Sequence, residues 1–315
     1  MNEILAIVVP CYNEEEVLPD SIAKLRGVLD ELKASGSINE KSYLLLVDDG
    51  SRDRTWEIIR ENHDSSADVW GQKLSKNCGH QSALLSGLMT ARERADISIS
   101  IDADLQDDIS VIKEMVDKYH EGCEIVYGIR GSRKKDSFFK RSTAQGFYKL
   151  LSSMGVKTIY NHADFRLMSK KALDELSMYK ESNLYLRGLI PLLGLKTGEV
   201  VYERGERMAG ESKYPLKKML ALAVNGITSF STEPIKMVQR TGVLVLLVCL
   251  AAAIYAFISY MTGNVEKGWT SLILSIWFLG GVQLLAVGVI GEYVGKIYGE
   301  VKQRPLYHIE ELLDK

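Results

Sequence analysis

Four carboxylates lie within eight residues in the sequence IDADLQDD, which overlaps the end of the apolar run ISISI. Asp102 and Asp104 stand two residues apart, and Gln106 takes the next alternate position. Carboxylates crowded at the end of a buried strand repel one another and lose hydration unless a cation compensates them. Hard divalent ions choose oxygen ligands and share their shell with substrate phosphates. The spacing therefore predicts a Mg²⁺ or Mn²⁺ site, and a helix cap is the alternative reading for Asp107 or Asp108.

The acids are predicted to lie at the rim of a sheet. Runs such as ILAIVV and YLLLVDDGS predict strands, and apolar stripes of helical spacing, such as the one from Leu18 to Leu32, fall between the strands. Strands that alternate with helices predict an α/β fold with a mostly parallel sheet and helices on both faces. Ligands of such sheets bind beyond the carboxyl ends of the strands, so polar residues there should converge. The residues at these predicted ends are Asp48, Asp49, Asp102, Asp104 and Arg130.

Composition excludes several classes of protein. The chain has 315 residues, 46% hydrophobic and 25% charged, with a formal net charge of −2. This balance excludes a disordered chain and a nucleic-acid binder held by bulk positive charge. The cysteines are scattered without CxxC spacing, which argues against a disulfide framework or a zinc site and fits a reducing compartment. No basic segment precedes the first apolar run, so we expect no secretory signal peptide.

Two segments near the C-terminus, residues 242–260 and 269–291, carry no charged residue. Each is long enough to cross a bilayer as a helix, and the short connection between them predicts a membrane hairpin. A pair of buried core helices is the alternative. Lysine and arginine flank the hairpin on both outer sides, so the positive-inside rule places both termini in the cytoplasm. The preceding segment, residues 214–240, mixes apolar spacing with lysines, as interfacial helices do.

The motifs together resemble a known family. VVPCYNEEEVL, LLLVDDGSRDRT, KNCGHQSALLSGL and SIDADLQDD occur in that order, followed by ADFRLMSKKAL, RGERMAGESKY and the two apolar segments. This series resembles family 2 glycosyltransferases of the GT-A fold, and within them the polyprenyl-phosphate glycosyltransferases, which include bactoprenol glucosyltransferases and dolichol-phosphate mannose synthases. The resemblance covers essentially the whole chain. It implies a cytoplasmic GT-A catalytic domain (1–213), an interfacial segment (214–240), a transmembrane hairpin (241–295) and a cytoplasmic tail (296–315).

The resemblance also implies roles for individual residues. The implied nucleotide-binding residues are Pro10, Tyr12, Glu14, Asp48, Asp49, Asp102 and Ala103. Asp104 and Gln106 would ligate a Mg²⁺ or Mn²⁺ ion that bridges the donor diphosphate. The implied catalytic residues are Asp102, Asp104 and Asp164. The implied acceptor-phosphate residues are Arg130, Arg141, Arg207, Ser212 and Lys213.

The functions of several basic residues and of Asp164 each have two interpretations. The basic clusters in GIRGSRKKDSFFKR and YERGERMAGESKY suit a phosphate headgroup, although Lys134 and Lys135 equally suit a solvated face attracted to anionic lipid. Asp164 is either a general base or a group that orients Arg166 and the acceptor. Ala163 stands where many relatives carry glycine.

The function implied is transfer of one sugar, with inversion and metal dependence, from a nucleotide-sugar to polyprenyl (undecaprenyl) phosphate at the cytoplasmic membrane face. UDP-glucose or UDP-N-acetylglucosamine is the expected donor, and a GDP-mannose-dependent mannosyltransferase is the alternative. A processive polysaccharide synthase usually carries a QxxRW motif, which this sequence lacks. A non-enzymatic alternative is a membrane scaffold with an inactive transferase fold. The resemblance further implies a role in cell wall or surface polysaccharide biosynthesis and a homo-oligomer, a tetramer in the family.

Overall fold

The computed structural model describes residues 3–131, 162–181, 185–203, 233–262 and 268–314. These residues divide into two compact units. The first holds residues 3–131, 162–181, 185–203 and 303–314, and the second holds residues 233–262 and 268–302.

The first unit alternates strands with helices. Its strands are β1 Leu5–Cys11, β2 Tyr43–Asp48, β3 Val69–Leu74, β4 Ile97–Ser100, β5 Ile125–Arg130, β6 His162–Ser169, β7 Thr197–Tyr202 and β8 Ile309–Leu313. Its α-helices are α1 Leu18–Ala34, α2 Thr55–Ser65, α3 His80–Arg94, α4 Ile112–His120, α5 Lys170–Ser177 and α6 Leu186–Leu189. Short 3₁₀ turns at Ile109–Val111 and Ile190–Leu193 adjoin α4 and α6.

The strands form one eight-stranded sheet in the order β7-β5-β6-β4-β1-β2-β3-β8. Parallel pairing joins β1 to β2 and β4, β2 to β3, and β5 to β7. Two strands run against their neighbours, since β6 is antiparallel to both β4 and β5, and β8 is antiparallel to β3. The predicted α/β fold with a mostly parallel sheet is therefore confirmed.

Helices cover both faces of the central strands. β1 is buried at every residue, as a strand covered on both sides must be. Ile7 belongs to the same apolar cluster as Leu25 of α1, whereas Val8, whose side chain points to the other face, lies under α3. At Gly87 of α3 an added Cβ would lie 2.5 Å from Cγ1 of Val8, so only glycine allows α3 to lie this close to the sheet. This close packing fixes the first turn of α3 above the strand ends.

Strand β8 was not predicted from the sequence. It comes from the end of the chain and pairs with β3, an edge that the other strands leave open. Ion pairs accompany the pairing, with Glu311 2.7 Å from Arg60 and Glu310 3.1 Å from Lys73. Covering the edge in this way removes a row of unpaired backbone groups that could otherwise pair with another chain.

The second unit consists of two long helices, α7 Glu233–Met261 and α8 Trp269–Lys302. Both are long and apolar enough to cross a membrane by length and composition, over Ile235–Ala252 and Phe278–Lys302. No residue of either stretch is buried inside the described structure. The two uncharged segments found in the sequence lie within these helices.

Candidate active site

The acidic loop, residues 101–108, follows β4. Leu105 in this loop has a φ of +42°, which is uncommon for a residue with a side chain and turns the chain sharply between Asp104 and Gln106. Asp102 and Asp104 remain partly exposed, whereas Gln106 is buried. The amide nitrogen of Gln106 donates to Oδ2 of Asp104 at 2.5 Å. This contact orients Asp104 through the amide nitrogen of Gln106, and the ligand role predicted for the amide oxygen of Gln106 stays a prediction.

Buried hydrogen bonds hold the acidic loop in place. Oδ1 of Asp107 accepts from the Tyr202 hydroxyl at 2.7 Å and from Nη2 of Arg130 at 3.0 Å. Burial, reinforced by the charge of Asp107, raises the pKa of Tyr202, so its hydroxyl stays protonated and able to donate. On the other side of the loop, Ser21 of α1 donates to the carbonyl oxygen of Ala103 at 2.6 Å. Three elements therefore fix the loop that carries Asp102 and Asp104.

Asp108 has a different role. Its side chain accepts a hydrogen bond from the backbone N–H of Ser110 at 2.9 Å and caps the 3₁₀ turn before α4. The helix-cap alternative thus applies to Asp108, and Asp107 is an anchor of the loop.

The adjacent aspartates at the end of β2 have different environments. Both are buried. Oδ1 of Asp48 accepts from the backbone N–H of Ser51 at 3.2 Å, while its Oδ2 has no hydrogen-bond partner among the described residues. Burial raises the pKa of Asp48. A buried acceptor without a partner is uncommon in folded proteins, and the nucleotide-binding role of Asp48 stays a prediction.

Asp49, by contrast, binds the protein itself. Its Oδ1 accepts from the backbone N–H of Cys78 at 2.7 Å, and its Oδ2 accepts from that of Gly79 at 2.9 Å. These bonds hold the turn that leads into α3. Gly50 lies against the same turn with a φ of +67°, and an added Cβ would stand 2.7 Å from the backbone nitrogen of Asn77. Asp49 is therefore placed to position this turn, and the nucleotide contact predicted for it stays a prediction.

The other predicted nucleotide residues adjoin the ends of β1 and β4. Tyr12 is 41% exposed, which leaves its ring free to meet a ligand. The backbone N–H of Glu14 donates to Thr55 at 2.9 Å, so its segment is tied to α2. Pro10 lies inside β1, and Ala103 is buried, so any ligand contact by either would involve little of its side chain.

The first turn of α3 links two acidic residues of the site. Nε2 of His80 lies 3.0 Å from Oδ1 of Asp102. Burial lowers the pKa of His80, but the hydrogen bond and charge of Asp102 outweigh it, so the net pKa is raised. The next residue, Gln81, donates its amide N–H to Oδ2 of Asp164 at 3.4 Å and accepts from the backbone N–H of Leu186 at 3.1 Å.

Asp164, on β6, is surrounded by donors. Arg166 pairs with its Oδ1, and Arg187 of α6 donates to Oδ1 from Nε at 3.2 Å and to Oδ2 from Nη2 at 2.9 Å. Burial raises the pKa of Asp164, but the charges of Arg166 and Arg187 outweigh it and hold the pKa well below its usual range. A carboxylate held so firmly ionised is a weak general base, because proton transfer is efficient when the pKa lies near the working pH. The geometry favours the orienting role for Asp164.

A metal ion would depend on the acidic loop. Within the described residues no three or more His, Cys, Asp or Glu side chains cluster in a way that could enclose an ion. Asp102 and Asp104 offer two partly exposed carboxylates on a fixed loop. Mg²⁺ is commonly bound by one or two carboxylates together with substrate phosphates, so these residues fit an ion that arrives with a diphosphate.

Comparison with known proteins decides the family. Residues 6–177 match the sequence profile described as glycosyl transferase family 2. The chain is 56% identical over 307 residues to the uncharacterized glycosyltransferase YkoT of Bacillus subtilis (strain 168), a match that covers 98% of this chain and 91% of that protein. The chain belongs to glycosyl transferase family 2. This family 2 member is a glycosyltransferase, as the motifs predicted.

Two further comparisons bear on this family 2 enzyme. The SfII prophage-derived bactoprenol glucosyl transferase of Shigella flexneri is 38% identical over 309 residues, with 98% of this chain and 97% of that protein covered. The mannosyltransferase PcManGT from Pyrobaculum calidifontis, solved in complex with GDP-Man and Mn2+, aligns with a TM-score of 0.50 and 14% identity over 96% of this chain and 87% of that chain. The second likeness concerns the fold alone and agrees with the predicted GT-A fold.

Some predicted residues of the family 2 site cannot be placed. Arg141, Arg207, Ser212 and Lys213 lie outside the described residues. Arg130 is described, and its guanidinium group contacts Asp107. Conversely, the structure brings to the site four residues that were assigned no specific role, namely His80, Gln81, Arg187 and Tyr202. His80 and Gln81 lie within the motif KNCGHQSALLSGL, which marks the segment but gives neither residue a role, and no sequence pattern marked Arg187 or Tyr202.

Proposed function

We propose that this enzyme transfers one sugar from a nucleotide-sugar to polyprenyl phosphate, with inversion and with a divalent ion, at the cytoplasmic face of a membrane. The structural observation that carries the proposal is the pairing of Asp164 with Arg166 and Arg187, which favours the ionised form of its carboxyl group. A sugar hydroxyl must lose a proton as it attacks and so needs a general base, whereas a lipid phosphate is already ionised. An orienting carboxylate that is a weak base suits a phosphate acceptor. The likeness to a bactoprenol glucosyl transferase supports the same acceptor.

The reaction is a single displacement. A phosphate oxygen of the acceptor attacks the anomeric carbon, a new carbon–oxygen bond forms, and the bond to the donor diphosphate breaks with its electron pair leaving on the nucleoside diphosphate. No proton has to be removed, so the protein contributes positioning and charge stabilisation. A divalent ion held by Asp102 and Asp104 would neutralise charge on the leaving diphosphate. Asp48 would accept a hydrogen bond from the nucleotide base, and Tyr12 would lie against the nucleoside.

The membrane arrangement belongs to the same proposal. The catalytic domain, residues 1–213, would lie in the cytoplasm, residues 214–240 at the interface, and residues 241–295 would cross the membrane twice. The apolar character of α7 and α8 supports this arrangement. Cysteine labels at Asn264 should react from outside intact cells, and labels at Lys315 only after permeabilisation. The opposite labelling pattern would refute the orientation.

A donor screen tests the function. Purified full-length protein in detergent would receive undecaprenyl phosphate and labelled UDP-glucose, UDP-N-acetylglucosamine or GDP-mannose, each with Mg²⁺ or Mn²⁺. We expect a lipid-linked product with one donor, UDP-glucose in the first instance, and with GDP-mannose if the mannosyltransferase alternative holds. Hydrolysis without any lipid product would refute the acceptor. The absence of both transfer and hydrolysis would favour the inactive scaffold.

A further inference from the structure

The cluster around Asp164 carries an excess of positive charge. One carboxylate, Asp164, faces two guanidinium groups, those of Arg166 and Arg187. Arginine stays protonated under all ordinary conditions, so the cluster retains one net positive charge. Asp102 lies within electrostatic range and offsets part of this excess, and a further anion beside Arg187 would be attracted by what remains.

Only one of the two arginines can meet a ligand. The side chain of Arg166 is 1% exposed, whereas that of Arg187 is 38% exposed. Asp164 accepts hydrogen bonds from Nε and Nη2 of Arg187, which are two of its three guanidinium nitrogens. A guanidinium group has five N–H donors in a fixed fork, so several donors of Arg187 remain for a second partner. Planar forks of this kind suit phosphate oxygens.

Arg187 is also fixed beside the acidic loop. Gln81 accepts from the backbone N–H of Leu186, the residue before Arg187, and donates to Asp164. His80, the neighbour of Gln81, contacts Asp102. Burial lowers the pKa of Arg187, but the attraction of Asp164, followed by that of Tyr185 and Asp102, outweighs it, so the net pKa is raised. The unused donors of Arg187 thus lie within electrostatic range of Asp102, a residue assigned here to the donor site.

We propose that Arg187 binds a phosphoryl oxygen of a substrate, and that Asp164 is the positioning residue that holds its guanidinium fork in place. The inference rests on the proposed function, because both substrates of that reaction carry phosphate. The oxygen could belong to the donor diphosphate or to the phosphate of the lipid acceptor, and the chemistry of recognition is the same for both.

The test compares Arg187→Gln and Arg187→Lys with a matched control, Arg92→Gln. Arg92 is a half-buried arginine at the opposite end of α3, and it too faces one carboxylate, Asp174 at 3.8 Å. Both Arg187 variants should fold, since Arg166 still compensates Asp164. Melting temperatures check this directly. One arm measures UDP binding with Mn²⁺ by calorimetry, and the other measures binding of undecaprenyl phosphate in detergent.

We expect Arg187→Gln to lower the affinity for one of the two ligands, UDP or undecaprenyl phosphate, by about ten- to a hundredfold. This is the cost of a lost charge-assisted hydrogen bond. The affected arm identifies the source of the phosphate. Arg187→Lys should restore part of the affinity, because it keeps the charge but not the fork. Unchanged binding of both ligands would overturn the inference. So would weaker binding that Arg187→Lys does not restore and that comes with a lower melting temperature. Both arms measure binding, so failure of turnover in the wild type would refute the proposed function without deciding this test.

Discussion

Replacing Asp49 with asparagine should lower the stability of the first unit and its affinity for the donor nucleotide together. Both oxygens of Asp49 accept backbone N–H groups, from Cys78 at 2.7 Å and from Gly79 at 2.9 Å. Asparagine offers one acceptor oxygen, and its amide nitrogen would face the second N–H as another donor. The turn before α3 would therefore lose one of the two bonds that hold it.

The size of the effect follows from these contacts. A hydrogen bond to a charged group contributes about 1.5–3 kcal/mol. Burial raises the pKa of Asp49, so ionisation of the buried carboxyl already costs free energy, and a neutral amide recovers part of that cost. We expect a net loss of about 2 kcal/mol in the free energy of unfolding, or ~4–8 °C in melting temperature for a unit of this size. Nucleotide affinity should fall because His80, which begins α3, contacts Asp102.

Thermal unfolding and calorimetric titration with UDP measure the two effects. Asp64→Asn is the control, because Asp64 is an exposed aspartate of α2, and it should change neither quantity. A wild-type melting temperature combined with weaker UDP binding would refute this reasoning and restore the direct nucleotide contact predicted from the sequence. No change in either quantity would show that the turn does not depend on Asp49.

Three further predictions concern the acidic loop and Asp164. Tyr202→Phe removes the hydroxyl that donates to Asp107 but leaves Arg130 in place, so stability should fall by about 1.5 kcal/mol in thermal unfolding; an unchanged melting temperature would contradict the anchoring role. Asp104→Asn should nearly abolish transfer and weaken Mn²⁺ binding in the presence of nucleotide, and wild-type turnover that survives EDTA would exclude the metal. The pKa of Asp164 lies below its ordinary 3.8, so its contribution to stability is complete above that value and is lost only as the pH falls below it. Asp164 also raises the pKa of His80, so the comparison is made in a His80→Gln background. There the difference in melting temperature with and without Asp164→Asn should stay constant from about pH 7 to about pH 5 and shrink only in stronger acid, whereas a change near neutral pH would show that the carboxyl titrates there.

Elements with a local pattern of apolar and polar residues can be predicted from the sequence alone. The apolar residues of α1 recur at helical spacing, and β1, β2, β4 and β5 are apolar runs that end in polar residues. Because these strands alternate with helices, a sheet with a polar rim follows from pattern alone. The position of the acidic loop at that rim could be predicted for the same reason. The two long apolar helices were equally visible, since length and composition define them.

Residues that look alike in the sequence have different environments in the folded structure. Asp48 and Asp49 are neighbours of one type, yet Asp49 binds a turn some thirty residues further along the chain, while Asp48 keeps an oxygen without a partner among the described residues. Asp164 likewise takes its partners from distant places, Gln81 on α3 and Arg187 on α6.

Strand β8 is an element of the fold that local sequence patterns did not predict. It pairs with β3, more than two hundred residues earlier, and its charged sequence IEELL lacks the apolar run of a central strand. An edge strand needs fewer apolar side chains because part of it faces water. The charged residues of β8 instead form ion pairs with Arg60 and Lys73 of the neighbouring elements. Local periodicity reports which face of an element is buried, whereas the choice of partner depends on the register and packing of segments far apart in the chain. The contacts of Asp49, Asp164 and Arg187 therefore depend on how those distant segments pack together.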